Sequence, residues 1–128
     1  MFGATVTKVM ESKDGKVNVW GTGEEKRDLL YVGDLIDFID TALTQQENSY
    51  ELFNVGLGEG IKIKDLVSKI ITHSGKQLEM VHDLSKPTVP TSLFLDCSRA
   101  KELLNWEPKH TLDEGIKKTL TWYKANIK

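Results

Sequence analysis

Tyr50-Glu51-Leu52-Phe53-Asn54-Val55-Gly56-Leu57-Gly58-Glu59-Gly60, followed by an apolar pattern at Leu66, Val67, Ile70 and Ile71 that stops at Gly75, decides the fold. Tyr50 to Val55 is rich in β formers and predicts a strand. The three glycines predict a turn, and the spacing of the next apolar residues predicts a helix. Asp65 places a negative charge in the first turn of that helix, where the helix dipole favours it, although Lys62 stands where a Ser or Thr cap would open it better. Strand, turn and helix in this order put the chain in the α/β class.

The same alternation extends in both directions. Upstream, Lys16 to Trp20 predicts a short strand after the turn-like Lys13-Asp14-Gly15, and Gly21-Thr22-Gly23 breaks it. Asp28 to Val32 is a second apolar run. Gly33-Asp34 then opens a helix whose Leu35, Phe38, Ile39 and Ala42 share one face, with Asp34 as its N-cap. Downstream, Leu78 to Val81 predicts another strand. Asp83 to Ser92, with Pro87 and Pro90, predicts a loop, and Leu93 to Leu95 resumes extended structure. A helix follows from Ser98 to Leu104, capped by Asp96 at its start and by a left-handed Asn105 at its end. Thr111 and Glu114 form a capping box that starts a last helix, with Leu112, Ile116, Leu120 and Tyr123 on its buried face. The expectation is one α/β domain over residues 1–128, of short strands alternating with helices.

Composition narrows the function. With 39% hydrophobic and 28% charged residues the chain lies outside the disordered regime and should fold. Its 17 basic and 19 acidic residues are scattered, so no polybasic track marks a nucleic acid or a membrane as partner. No stretch approaches the ~20 apolar residues of a membrane span, and residues 1–12 lack the pattern of a targeting peptide. Cys97, the only cysteine, excludes an intramolecular disulfide and fits a reducing, cytoplasmic setting. His73, His82 and His110 are too dispersed for a metal site. Trp20, Trp106 and Trp122 read as core or domain-contact residues.

The succession Val19-Trp20-Gly21-Thr22-Gly23, Arg27-Asp28-Leu29-Leu30-Tyr31-Val32-Gly33-Asp34, Phe53-Asn54-Val55-Gly56, Asp96-Cys97-Ser98-Arg99-Ala100 and Asn105-Trp106-Glu107-Pro108 resembles nucleotide-sugar epimerases and dehydratases of the extended short-chain dehydrogenase/reductase group. The resemblance covers about residues 16 to 124. It implies the small C-terminal substrate-binding domain, lacking the N-terminal Rossmann sheet. In such enzymes a GxxGxxG turn for NAD or NADP, a Tyr-x-x-x-Lys pair and a Ser or Thr carry out transient oxidation of a sugar hydroxyl. No tyrosine here is followed four residues later by lysine. No catalytic or cofactor-binding residue is therefore assigned, and this chain alone is expected to be inactive and to bind neither NAD nor NADP.

What the resemblance does imply is a substrate-binding role, a nucleoside-diphosphate sugar being the ligand and the Rossmann half the protein partner. Arg27 matches a position that contacts the diphosphate, and its planar fork suits that group. Its ordinary alternative is a surface pair with Asp28 or Glu24. Lys86, before Pro87, stands where the family often has an arginine on the same diphosphate. Lysine keeps the charge but not the bidentate fork. Gly56-Leu57-Gly58-Glu59-Gly60 imitates a dinucleotide turn, with Glu79 as a mock ribose ligand, but its spacing is GxGxG, and a structural turn is the preferred reading. Without a Rossmann half an apolar face would lie open, promoting self-association. The competing reading is a free-standing, noncatalytic binding module of the same fold.

Overall fold

Val17 and Val19 alternate with Lys16, Asn18 and Trp20, and this period of two becomes strand β1 (Lys16–Trp20) with both valines buried. The computed structural model describes residues 1–89 and 91–127, so Pro90, read above as part of a loop, lies outside the described residues. Around β1 the chain builds α1 (Phe2–Glu11), β2 (Lys26–Arg27), α2 (Val32–Gln45), β3 (Ile61–Lys62), α3 (Ile63–Ser74), β4 (Glu79–Asp83), β5 (Ser92–Leu93), α4 (Ser98–Leu104) and α5 (Leu112–Asn126). β1 and β4 pair in parallel, from Lys16 opposite Glu79 to Trp20 opposite Asp83. A smaller sheet has β2 in its centre, antiparallel to β3 and parallel to β5.

Two apolar clusters result. In the first, Val6 and Val9 of α1, Val17 and Val19 of β1, Leu66, Val67 and Ile70 of α3, and Ile116 and Leu120 of α5 are buried together. In the second, Phe38 of α2 meets Ala100 and Leu104 of α4 and Trp106, with Phe53 and Val55 packed alongside. Phe38 takes both Phe53 and Trp106 edge-on, at 5.5 and 5.1 Å between ring centroids, a favoured aromatic geometry.

Several helix boundaries follow the sequence signals closely. Thr111 accepts the amide of Glu114 while the Glu114 carboxylate accepts the amide of Thr111, a complete capping box. Asn105 ends α4 at φ 47°, and Gly75 ends α3 at φ 78°. Lys62 opens α3 without a side-chain cap.

Other expectations are corrected. α2 starts at Val32 after Tyr31, so Asp34 lies inside its first turn and is not the N-cap. The face that α2 buries is Asp34 and Phe38, whereas Leu35 and Ile39 are 40% and 48% exposed. Cys97 occupies the cap position of α4, and Asp96 serves from one residue earlier by accepting the Ser98 amide at 3.0 Å. Tyr50–Val55 forms no strand, although Glu51, Phe53 and Val55 are half-buried and Leu52 and Asn54 exposed, the period of two that its sequence dictates. A strand needs a neighbour for its ladder, and among the described residues none is offered. β5 holds only Ser92 and Leu93 of the extended tail. Trp106 is core, but Trp20 and Trp122 are more than half exposed. α1 went unread although Phe2, Val6, Val9 and Met10 recur at helical spacing.

Candidate functional site

β2 is two residues long, and its flanks fix where Arg27 points. The Lys26 amide donates to the Thr91 carbonyl at 3.0 Å, and the Ile63 and Lys64 amides donate to Glu25 and Gly23, each at 3.0 Å. Gly23 has φ 71°, and a Cβ there would lie 3.0 Å from the Lys64 backbone, so only glycine permits this approach. Arg27 uses one nitrogen, Nη1, to donate to Thr91 Oγ1 at 2.5 Å, the Lys26 carbonyl at 2.7 Å and the Thr91 carbonyl at 3.3 Å. Its Nε and Nη2 have no protein acceptor among the described residues.

Neither carboxylate considered as its ordinary partner takes Arg27. Glu24 pairs with Lys62 at 2.8 Å and with Lys64, and these hydrogen bonds hold its carboxyl at about 2. Asp28 accepts the amides of Leu57 at 2.8 Å, Gly58 at 3.0 Å and Leu95 at 3.2 Å. Arg27 is thus fixed by one nitrogen and open at the other two.

Arg27 lines a cleft of about 560 Å³ with Lys8, Trp20, Glu25, Pro87, Thr88 and Val89 among its walls. Trp20 is 54% exposed. The ammonium of Lys86 stands 6.0 Å from the centroid of the Trp20 ring and that of Lys8 5.9 Å, at the limit of cation–π reach. Lys86 has no carboxylate partner among the described residues, and its backbone closes the turn after β4 by donating to the Asp83 carbonyl at 3.4 Å. Arg27 and the loop after Lys86, through Pro87, Thr88 and Val89, share one cleft, while Lys86 itself is not among the lining residues and stands beside the Trp20 ring. Two cations, Lys8 and Arg27, and one carboxylate, Glu25, line the space. Sequence reading missed Lys8 because α1 was not recognised, and missed Trp20 as a wall because tryptophan is more often core.

The glycine turn is built for structure. Its Leu57 and Gly58 amides, which a dinucleotide diphosphate would need, already bind the Asp28 carboxylate, and a Cβ on Gly56 would fall 2.6 Å from Asp28 Oδ2. A negative charge fills the place of the phosphates, so these residues do not fit NAD or NADP. Of the three glycines, Gly58 has the positive φ, 74°.

The histidines are bound singly: His73 to Asp113 at 2.6 Å, His110 to Asp34 at 2.8 Å, and His82 to the Gly21 carbonyl at 3.0 Å. Among the described residues no group of three or more His, Cys, Asp or Glu side chains is arranged to hold a metal ion. Burial raises the Cys97 thiol above its ordinary value, which suppresses the thiolate. No helix among the described residues is long and apolar enough to cross a membrane.

The fold is the mixed α/β domain of short strands and helices found in extended short-chain dehydrogenases/reductases. More narrowly, residues 3–119 match the family described as GDP-mannose 4,6 dehydratase, and the chain belongs to that family, in a manner consistent with the C-terminal part of such an enzyme. It is 36% identical over 116 residues to the rice (Oryza sativa subsp. japonica) protein named "Probable GDP-L-fucose synthase 1", covering 91% of this chain and 35% of that one. UDP-glucose 4-epimerase of Thermotoga maritima, solved with UDP-glucose, superposes with a TM-score of 0.82 at 29% identity, covering 97% of this chain and 38% of that one. dTDP-glucose 4,6-dehydratase of Bacillus anthracis, solved with NAD, gives 0.78 at 29% identity, covering 98% and 39%. The chain spans about a third of the length of the curated relatives it matches.

Proposed function

We propose that these 128 residues are the nucleotide-sugar-binding domain of an NAD- or NADP-dependent sugar epimerase or dehydratase, with Arg27 and Lys86 on the diphosphate. The observation that carries this reading is the half-anchored guanidinium: Thr91 and the Lys26 carbonyl fix one nitrogen of Arg27, leaving Nε and Nη2 open beside a cleft. A fork held in place at one corner loses little freedom when it closes on a phosphate. Lys86, beside Trp20, adds a movable point charge. The cofactor and the hydride chemistry belong to a Rossmann partner, because the glycine turn of this chain is already filled by Asp28. Binding energy from the nonreacting phosphates then helps to orient the reacting carbon. The apolar surface left open around α2 favours self-association of the isolated chain.

Calorimetric titration with UDP, GDP and UDP-glucose tests the assignment, on the chain and on the assembled enzyme. Arg27→Ala is expected to weaken binding by roughly ten- to a hundredfold, the worth of a charge-assisted contact. Lys86→Ala should cost less. The loss should be the same for nucleoside diphosphate and nucleotide sugar, since the contact is to phosphate. Unchanged affinity in Arg27→Ala removes the assignment.

A further inference from the structure

Lys26 divides two clefts. It lines one with Lys62 and Lys69, whereas its neighbours Glu25 and Arg27 line the other, the period of two of an extended chain. Glu25 and Arg27 thus look into the same space from one face, with about 7 Å of extended backbone between their Cα atoms. The backbone of Glu25 is fixed, because its carbonyl accepts the Ile63 amide at 3.0 Å. Its carboxylate has no such tie. Among the described residues it forms no ion pair and no hydrogen bond, although Arg27 holds out Nε and Nη2 and Lys8, whose ammonium donates to the Asn18 carbonyl at 3.4 Å, lines the same walls.

An ionised carboxylate accepts hydrogen bonds and offers none. Toward a bare diphosphate on Arg27 a negative charge in the wall is repulsive. It becomes favourable only when the ligand brings donors close to its phosphates. In a nucleotide sugar the groups joined directly to the diphosphate are polyols, the ribose on one side and the hexose on the other, and the base lies farther off. We infer that Glu25 is a specificity-determining residue, its carboxylate accepting a vicinal diol on the sugar esterified to the phosphate that Arg27 holds. Two hydroxyls match the two carboxylate oxygens, and acidic side chains take ribose hydroxyls by the same chemistry. This role rests on the nucleotide-sugar reading of the cleft and names the part of the ligand that the cleft distinguishes.

Calorimetric titration of the chain in EDTA with inorganic pyrophosphate, UDP, 2′-deoxyuridine diphosphate and UDP-glucose tests this. Glu25→Ala should shift two probes in opposite directions. Pyrophosphate, which carries no hydroxyl, should bind about threefold more tightly once the charge is gone, and the ligand that bears the diol should bind about tenfold more weakly. If the diol belongs to the ribose, the parent chain prefers UDP to its deoxy analogue by about tenfold, and Glu25→Ala abolishes the preference. If it belongs to the hexose, UDP and its deoxy analogue bind alike, UDP-glucose binds more tightly than UDP, and that gain is what Glu25→Ala abolishes. Glu25→Gln, which keeps an acceptor oxygen without the charge, should match Glu25→Ala on pyrophosphate and retain part of the diol preference. Both variants should keep the parent melting temperature, because the carboxylate holds nothing in the fold. Pyrophosphate and UDP weakening together, a parent chain with neither preference, a preference that survives in Glu25→Ala, or one that appears only when magnesium is added would each overturn the inference. Unchanged pyrophosphate affinity in Arg27→Ala removes the phosphate assignment and this role with it. Loss of pyrophosphate affinity in Arg27→Ala, with every ligand unaltered in Glu25→Ala, removes the role of Glu25 alone.

Discussion

The first apolar cluster is closed and the second is open, although helices supply most of the buried side chains in both. In the first, β1 and β4 satisfy each other's backbone through a five-residue parallel register, and α1, α3 and α5 bury Val6, Val9, Leu66, Ile70 and Ile116 to 1% exposure or less. In the second, Phe38, Leu104 and Trp106 are buried, but the segment beside them has no ladder and α2 shows apolar residues outward. Hydrophobic patterning builds a cluster wherever apolar faces meet. A sheet also needs edge partners, and these come from far away in sequence or from another polypeptide. The seam between the clusters is polar: Asp34 of α2, 1% exposed, accepts both the backbone amide of His110 at 3.1 Å and its ring nitrogen at 2.8 Å, just ahead of α5.

The contrast predicts unequal penalties. Ile70→Ala, at a position with no exposure, should cost about 2–5 kcal/mol, the usual toll of a buried large-to-small change. Phe53→Ala removes a larger side chain but from a half-open site, and should cost only about 1–2 kcal/mol in the isolated chain. Urea unfolding of both variants measures the difference. If Phe53→Ala costs as much as Ile70→Ala, the second cluster is already complete and the contrast is wrong.

At the seam, Asp34→Ala strands the His110 donors in a partly buried place, and about 1.5–3 kcal/mol should be lost, the range for hydrogen bonds to a charged group. Amide exchange refines this expectation. Protection should fall in α2 and at the start of α5 while β1 and β4 keep theirs, because the two clusters are joined there by few bonds. Uniform loss throughout the chain would mean that they unfold as one unit.

What could be read from the sequence divides along the same line. Local chemistry was legible: the Thr111–Glu114 box, Asn105 as a left-handed cap, Gly75 as a helix stop, β1, β4 and α4 all lie in short windows whose own residues decide them. Long-range partners were not. Tyr50–Val55 has the pattern of a strand, and nothing within its window tells whether a neighbour exists. Asp34 looked like a cap because Asp before an apolar run usually is one, and only the tertiary structure brings His110, 76 residues away, to its carboxylate. At the candidate site, Arg27 and Lys86 were picked by family position. Lys8 was hidden behind an unread helix, and the Thr91 anchor by 64 intervening residues.

The smallest expected effect concerns the small sheet that carries Arg27, which ion pairs hold where the first cluster uses buried apolar groups. Glu24 bridges Lys62 of β3 and Lys64 of α3, and those two hydrogen bonds lower its carboxyl from 4.5 to about 2. A depressed carboxylate stabilises the fold fully above its unfolded value and loses that contribution as pH falls through the folded one, so the window runs from 4.5 down to about 2. Glu24 is half exposed and screened by salt, which keeps the effect modest. Melting temperatures should therefore fall between about pH 5 and about pH 2, and the fall should be shallower in Glu24→Gln and at high ionic strength. Asp113, lowered first by His73 and then by Lys69, acts in the same direction but ties α3 to α5 around the closed cluster, so its loss should leave the Arg27 sheet intact. An acid response in Glu24→Gln as steep as in the parent chain would show that the bridge does not hold the sheet, and that Arg27 owes its position to Thr91 alone.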